Sequence, residues 1–433
     1  MHIILTCAYI AAFVYIIRKW SFLKSDGIPT NWPIYLFLLK IIAGIFLGLL
    51  YTYHYTDPKA TDTFKFFNDS TILFHSLSNH PYDFFRMLTG FDADAHELRS
   101  YYLQMDAWLN TNLLFNDNRT IIRLNAVFHF FSLGFYYIHV VFLNFLSFVG
   151  LFCLYKVFAN ECPERKKELL ILTFLFPSTL FWGSGLLKDG LLLFGMGTFI
   201  YHFYFYLKNP NQQKRLLPLL LTIGLLSITK FYIIILLAPG LVTWWLVSKL
   251  KLARPATYIV AAYLLFFIFA FNFYHVFPEY NLAVMLHWKQ FNFYGYAASV
   301  ESKSLIEIPR LGYDTWSILK NVPHAFFTTY FRPFFNDIHG NPLVLLSVLE
   351  NCFIFILTGI SIFHFRKPLQ NDKGFLWIAL VFLITLYVLI GLTTPVLGAI
   401  VRYKIPALPF LGFVLVSWSK KSKKMITIDG RFS

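Results

Sequence analysis

Eleven apolar stretches of the chain are candidates to cross a lipid bilayer, and this feature more than any other limits what it can fold into. They run over about 2–17, 33–53, 137–158, 169–184, 188–207, 216–229, 231–248, 256–277, 343–364, 374–393 and 396–418. A helix needs about 20 mostly apolar residues to span about 30 Å of hydrocarbon. In that medium every backbone polar group must be satisfied internally, so such stretches become helices. The pair 216–229 and 231–248, interrupted at Thr229-Lys230, reads either as two short helices or as one long broken one. With 57% hydrophobic and only 14% charged residues, the chain lacks the polar surface of a water-soluble domain, where about a quarter of residues are charged. The expected fold class is therefore an all-α polytopic membrane protein, a single transmembrane domain over 1–433.

The net charge of +15 is explained by position. Arg18, Lys19 and Lys24 follow the first span, and Lys156, Arg165, Lys166 and Lys167 the third. Lys208, Lys214 and Arg215 follow the fifth; Lys249, Lys251 and Arg254 the seventh. Arg366, Lys367 and Lys373 follow the ninth, and Lys420, Lys421, Lys423, Lys424 and Arg431 lie in a basic cytoplasmic tail over 419–433. Short basic clusters on alternate connectors are the positive-inside signature. They predict an outside N-terminus, an inside C-terminus and no role in nucleic-acid binding. Cys7, Cys153, Cys162 and Cys352 show no metal-knuckle or disulfide spacing. The first span lacks a basic leader and a small-residue cleavage site, so it is expected to stay as a helix.

Two outer loops break the apolar pattern. The first, 54–136, holds Asp57, Asp62, Asp69, Asp83, Asp92, Asp94, Glu97, Asp106 and Asp117 among many aromatics. Its stretches Pro81–Leu88 and Thr120–Phe131 read as amphipathic helices lying in the membrane interface. The second, 278–342, holds His287, Trp288, Glu301, Glu307, Arg310, Asp314, Lys320, His324 and Arg332. Both are too apolar for a flexible linker, and both are expected to fold back onto the membrane surface.

Ionisable residues at or within spans are costly and mark function by default. Lys188-Asp189 sits in a tight outer turn, Lys230 at the break between two spans, and Arg332-Pro333 at the end of the second loop. Glu350 follows about two turns further on, at membrane depth. Arg402 and Lys404 stand near the outer start of the last span. All are expected to converge on one membrane face. Each also has a purely structural explanation. Asp189 can cap a helix, Arg332 can satisfy loop carbonyls, Asp62 can be a solvated loop carboxylate, and Lys230, Arg402 and Lys404 can snorkel to head groups. Taken together, separated cations around acids suit a phosphate-bearing substrate, with Arg gripping phosphate as a fork and Lys as a point charge.

Three stretches carry a resemblance: Ala60-Thr61-Asp62-Thr63-Phe64-Lys65-Phe66-Phe67 after an early span, the Pro-Ser…Phe-Trp-x-Ser-Gly…Lys-Asp run at 177–189, and Arg402-Tyr403-Lys404-Ile405-Pro406 with Pro409. With the architecture, they resemble the GT-C superfamily of polytopic glycosyltransferases, most nearly the branch of protein O-mannosyltransferases and lipid A aminoarabinose transferases. The resemblance implies a polyprenyl-phosphate-linked sugar as donor, with a glycan, lipid or protein acceptor at the extracytoplasmic face of a bacterial inner membrane. It implies Asp62 as the base, and Asp189 as a second acid that either orients the acceptor or shares a Mg²⁺ or Mn²⁺ ion with Asp62. Lys188, Lys230, Arg332, Arg402 and Lys404 would hold the lipid phosphate. Trp182, Tyr232 and Trp288 would stack on sugar or acceptor, although Trp and Tyr also populate interfacial belts. An O-antigen-type polymerase or ligase shares most of these features. A lipid or glycan transporter should instead place ionisable residues deep in its spans and show broken helices. A non-catalytic partner in an envelope complex is a further alternative.

Overall fold

The structure, a computed structural model, describes residues 1–53, 61–109, 117–302, 304–338, 342–365 and 373–419. Asp57, the connector residues Arg366 and Lys367, and the tail from Lys420 lie outside the described residues. No β-strand occurs among those described, and eighteen α-helices follow one another along the chain. Helices α1 (His2–Lys19) and α2 (Trp32–Tyr53) lead to the first loop. That loop folds as α3 (Asp62–Asn79), α4 (Pro81–Thr89), α5 (Arg99–Tyr102) and α6 (Asp117–Ser132). Next come α7 (Tyr136–Glu161), α8 (Lys166–Phe174), α9 (Pro177–Trp182), α10 (Lys188–Lys208), α11 (Leu216–Lys249) and α12 (Pro255–Asn272). The second loop holds α13 (Leu282–Ser299) and α14 (Thr315–Phe331). The chain then runs through α15 (Pro342–Phe363), α16 (Lys373–Thr393), α17 (Leu397–Tyr403) and α18 (Leu408–Trp418).

Among the described residues, nine helical segments are long and apolar enough to cross a membrane, so the chain is a polytopic membrane protein. Two expected spans are not continuous helices, and the expected break at Thr229-Lys230 is present. Pro177 has no N–H to donate into the preceding turn, and the stretch 169–184 accordingly splits into α8 and α9. The last stretch divides at Lys404, where Pro406 and Pro409 follow in quick succession, into α17 and α18. In α11, Lys230 leaves helical geometry at φ −149° and ψ 76°. Arg215, just before α11, lies over Tyr201 and Phe205 of α10. Trp244, far beyond Lys230, packs on Phe203 and Tyr204 of the same helix. Both ends of α11 thus meet one level of α10, and the helix is a hairpin with Lys230 at its apex.

The two loops are ordered by local signals. Pro81 opens α4, and Gly90 closes it in the left-handed region at φ 86°. The Asn281 side chain accepts from the amides of Ala283 and Val284 at the start of α13. Asp314 accepts from Ser317 at the start of α14. Asp69 is buried, accepting from the amides of Asp106 and Ala107 at 2.9 and 2.8 Å, so it anchors the loop to α3. Asp94 pairs with Arg119 at 2.6 Å.

Packing is closest where side chains are smallest. Helices α7 and α10 run in the same direction and touch at Gly150 and Gly197, where a Cβ on Gly197 would stand 1.9 Å from the Gly150 carbonyl oxygen. Small residues permit such backbone approach in membrane bundles, where contact replaces the hydrophobic drive. The second contact of this kind is Gly391 of α16 against the Ala325 carbonyl of α14. From there Thr329 of α14 donates to the Tyr387 carbonyl. Helix α14 therefore descends antiparallel to α16 into the bundle.

Basic connectors gather at one end. Lys156 donates to the Lys24 carbonyl, Lys166 to the Asp26 carbonyl, and Lys208 faces the buried Glu161. Asp62, Asp117 and Lys188 lie at the opposite end, but the charges do not all share that face as expected. Lys404 and Glu350 are each 1% exposed, 3.8 Å apart. Glu350 stands eight residues, about 12 Å, down α15. Ser178 donates to Glu350 through its amide and hydroxyl at 2.5 and 2.9 Å. Lys404 donates to Asn351 at 2.8 Å, and Asn351 donates to the Phe331 and Pro333 carbonyls. The breaks before α9 and after α17, and the end of α14, meet at this one buried polar group. The freed backbone of broken helices needs such partners inside a membrane.

Candidate functional site

The turn Gly183–Leu187 was expected at the outer surface, yet it is recessed. Asn144 and Ser147, two to three turns along α7, donate to the Ser184 and Gly183 carbonyls at 2.7 and 2.9 Å. The Lys40 ammonium reaches Gly183 from α2 at 2.9 Å. This seating brings Lys188 and Asp189, the first residues of α10, below the start of α7. Helix α17 is fixed beside them by the second loop. Ile306 donates to the Pro395 carbonyl at 2.8 Å, and Leu397 to that of Ser304 at 2.9 Å.

Arg402 is the centre of one half of the site. Its Nε donates to Asp189 Oδ2 at 2.6 Å and its Nη1 to Asp62 Oδ2 at 2.7 Å. The guanidinium stands 5.9 Å from the Trp182 ring. The two carboxylates differ in access: the Asp62 side chain is 50% exposed and that of Asp189 only 6%. Burial opposes ionisation of Asp62. The charge and hydrogen bond of Arg402, with Lys188 and Lys65 further off, outweigh it and hold this carboxyl below the usual range. Asp62 and Arg402 line a cavity of about 340 Å³ together with Tyr51, Trp182, Phe293, Tyr296 and Tyr403. A smaller cavity of about 110 Å³, mostly apolar-lined between α9, α15 and α17, shares Trp182 and Gly398 with it.

Asp117, the first residue of α6, is the centre of the other half. Lys188 and Lys230 each approach one of its oxygens at 2.9 Å, and Lys188 also donates to Asn118 at 2.7 Å. Burial raises the Asp117 carboxyl, but Lys230 and Lys188 together hold it down at about 2. Lys230 reaches it because it is the apex of the α11 hairpin, where Thr120 also donates to the Ile228 carbonyl. Lys289 of α13 completes the group, 5.8 Å over the Tyr232 ring.

Of the residues singled out in the sequence, Asp62, Asp189, Lys188, Lys230, Arg402, Trp182 and Tyr232 are brought together. Three are not. Lys404 is turned inward to Asn351 and Glu350. Arg332 faces Asp337 at 3.9 Å, and only its neighbour Pro333 lines the smaller cavity. Trp288 packs on His287 and Phe291, outside the lining of both cavities. Asp117 and Lys289 were not singled out. Asp117 was one acid among many in its loop, although a carboxylate opening an amphipathic helix was a signal; Lys289 is a lone charge on an aromatic helix and gave none.

Asp62 and Asp189 do not fit a shared divalent ion, since Arg402 occupies the space between them and donates to both. Among the described residues no group of three or more His, Cys, Asp or Glu side chains could hold a metal. No family model, no curated protein and no solved structure matches this chain.

Proposed function

We propose that the protein is a GT-C-like membrane glycosyltransferase, moving a sugar from a polyprenyl-phosphate donor to an acceptor hydroxyl. In this reading the chain passes the membrane eleven times, α8 with α9 making one pass and the α11 hairpin two. The site then lies on the extracytoplasmic face, opposite the basic connectors, in a bacterial inner membrane. The observation that carries the reading is an accessible carboxylate, Asp62, facing a cavity beside a cluster of lysines.

The chemistry follows from that placement. Asp62 accepts the acceptor hydroxyl's proton as its oxygen attacks the anomeric carbon. The carbon–oxygen bond to phosphate breaks, and the polyprenyl phosphate leaves with the electron pair. Lys188 and Lys230 stabilise the charge gathering on it; cations already fixed in place lower the barrier without having to reorganise as the bond breaks. Asp189 fixes Arg402, which in turn aims the Asp62 carboxylate. Trp182 offers an apolar face to the sugar.

The test is sugar release and transfer from a panel of polyprenyl-phosphate sugars by purified protein and by Asp62→Asn. Loss of a general base costs about 10²- to 10⁴-fold, and a loss on that scale with the fold intact is expected. Equal turnover would remove Asp62 from the chemistry. A lipid or glycan transporter is the second reading, favoured by the buried Lys404–Glu350 pair and by the broken helices around it. Flux of labelled lipid-linked sugar across proteoliposomes, with no transfer, would select it.

A further inference from the structure

Two ammonium groups, Lys188 and Lys230, flank a single carboxylate, Asp117; a third, Lys289, lies within electrostatic reach of Lys230 and Asp117, and the four carry a formal net charge of +2. Two of them are matched: Lys188 and Lys230 take one oxygen each at 2.9 Å. Lys289 makes no ion pair or hydrogen bond among the described residues, and its ammonium is held over Tyr232. The surrounding protein and the charge of Lys230 both lower its pKa, Asp117 offsetting them in part. A cation in this position gains from any anion that enters.

Geometry connects the group to the larger cavity. Lys289 lies one turn before Phe293 on α13, and Phe293, Tyr296, Ala297 and Val300 all line that cavity. Residues spaced by three and four share one helix face, so Lys289 continues the cavity wall toward Lys230. Lys230 is in turn 5.7 Å over the ring of Tyr403, another wall residue. In the other half Arg402 pairs with both Asp189 and Asp62, one cation against two carboxylates.

Charge then separates two substrate classes. A sugar linked through one phosphate is a phosphodiester with one negative charge. A sugar linked through a diphosphate carries two, which match the lysine group. Resting on the glycosyltransferase reading but amending its donor, we propose that the sugar is diphosphate-linked, that polyprenyl diphosphate is the leaving group, and that Lys289, with Lys230, takes its second phosphate. Lys188 and Lys230 alone would serve a single phosphate, and Lys289 is the residue that distinguishes the two.

The experiment titrates inorganic pyrophosphate and inorganic phosphate into detergent-purified full-length protein, wild type, Lys289→Gln and Lys289→Arg, by calorimetry. Wild type is expected to bind pyrophosphate at least about tenfold more tightly than phosphate, as a further charged contact gives. Lys289→Gln should remove most of that preference while phosphate affinity changes less than about twofold, and Lys289→Arg should restore it. Equal affinity for the two anions in wild type, or a preference surviving in Lys289→Gln, overturns the proposal. Transfer assays with monophosphate- and diphosphate-linked donors keep the two readings apart. Pyrophosphate selectivity that depends on Lys289, alongside absent sugar transfer from both monophosphate- and diphosphate-linked donors, would sink the glycosyltransferase reading and leave the subsite standing. Transfer from monophosphate-linked donors only would do the reverse.

Discussion

Removing one charge of the buried Lys404–Glu350 pair is the sharpest test of how this bundle holds together. The two atoms are 3.8 Å apart with both side chains almost wholly buried. At an effective dielectric constant near 20, that separation corresponds to an attraction of about 4 kcal/mol. Lys404→Met leaves the Glu350 carboxyl among apolar helices with only the two Ser178 donors, and also leaves the Asn351 oxygen without its ammonium. Breaking one side of a buried pair typically costs about 3–5 kcal/mol, so the expected loss is about 4 kcal/mol. Glu350→Gln should cost less than Lys404→Met, because an amide oxygen can still accept from Ser178. The double variant should be more stable than the sum of the two single losses by at least about 2 kcal/mol, since it leaves no orphan charge. The assay is unfolding from mild detergent into SDS, followed by tryptophan fluorescence. A Lys404→Met protein within about 1 kcal/mol of wild type, or strictly additive losses, would refute the account of this pair as the tie between two helix breaks and the end of α14.

Two further outcomes concern the charge cluster and the packing. Asp117 is lowered from 3.8 to about 2, so the stability it contributes, about 2 kcal/mol, is fully present above pH 4 and is lost as pH falls through 2. Asp117→Asn should therefore flatten the stability profile between pH 4 and pH 2, read by acid unfolding in micelles; an unchanged profile would contradict the lysine pairing. Gly197→Val places side-chain atoms where the Gly150 carbonyl stands, an overpacking that costs about 1–3 kcal/mol or more. A fall in monodisperse protein on size-exclusion chromatography is expected, and Gly224→Val, where a Cβ meets no atom within 4 Å, serves as its control.

The sequence carried the helices further than their ends. Apolar length alone located most membrane-crossing segments, and the amphipathic stretch at Pro81–Leu88 became α4, Pro81–Thr89, because proline and glycine punctuate both of its ends. What composition could not convey was depth. The run around Gly183 reads as a surface turn because glycine and serine favour turns, but tertiary donors from α2 and α7 draw it inward. Lys404 reads as an interfacial lysine because it lies near the start of its apolar stretch. Its partner is more than fifty residues away in sequence, and no local pattern encodes that contact. In the site, Asp62, Asp189 and Arg402 were legible as polar residues set against apolar runs. That one arginine bridges both acids was not legible, nor was the pairing of two lysines by Asp117, because both depend on the fold of a loop with many acids to choose from.

The hairpin in α11 has a consequence for the lipid around the protein. Its first arm, Leu216–Thr229, has fourteen residues and is about 21 Å long, against about 30 Å of hydrocarbon in an ordinary bilayer. An arm this short is accommodated by local thinning of the membrane or by neighbouring protein that covers its end. Here α6 covers it from above, through Asp117 and Thr120. The short arm therefore ends beneath protein rather than lipid, and an ammonium that would otherwise stand in hydrocarbon meets the Asp117 carboxylate instead.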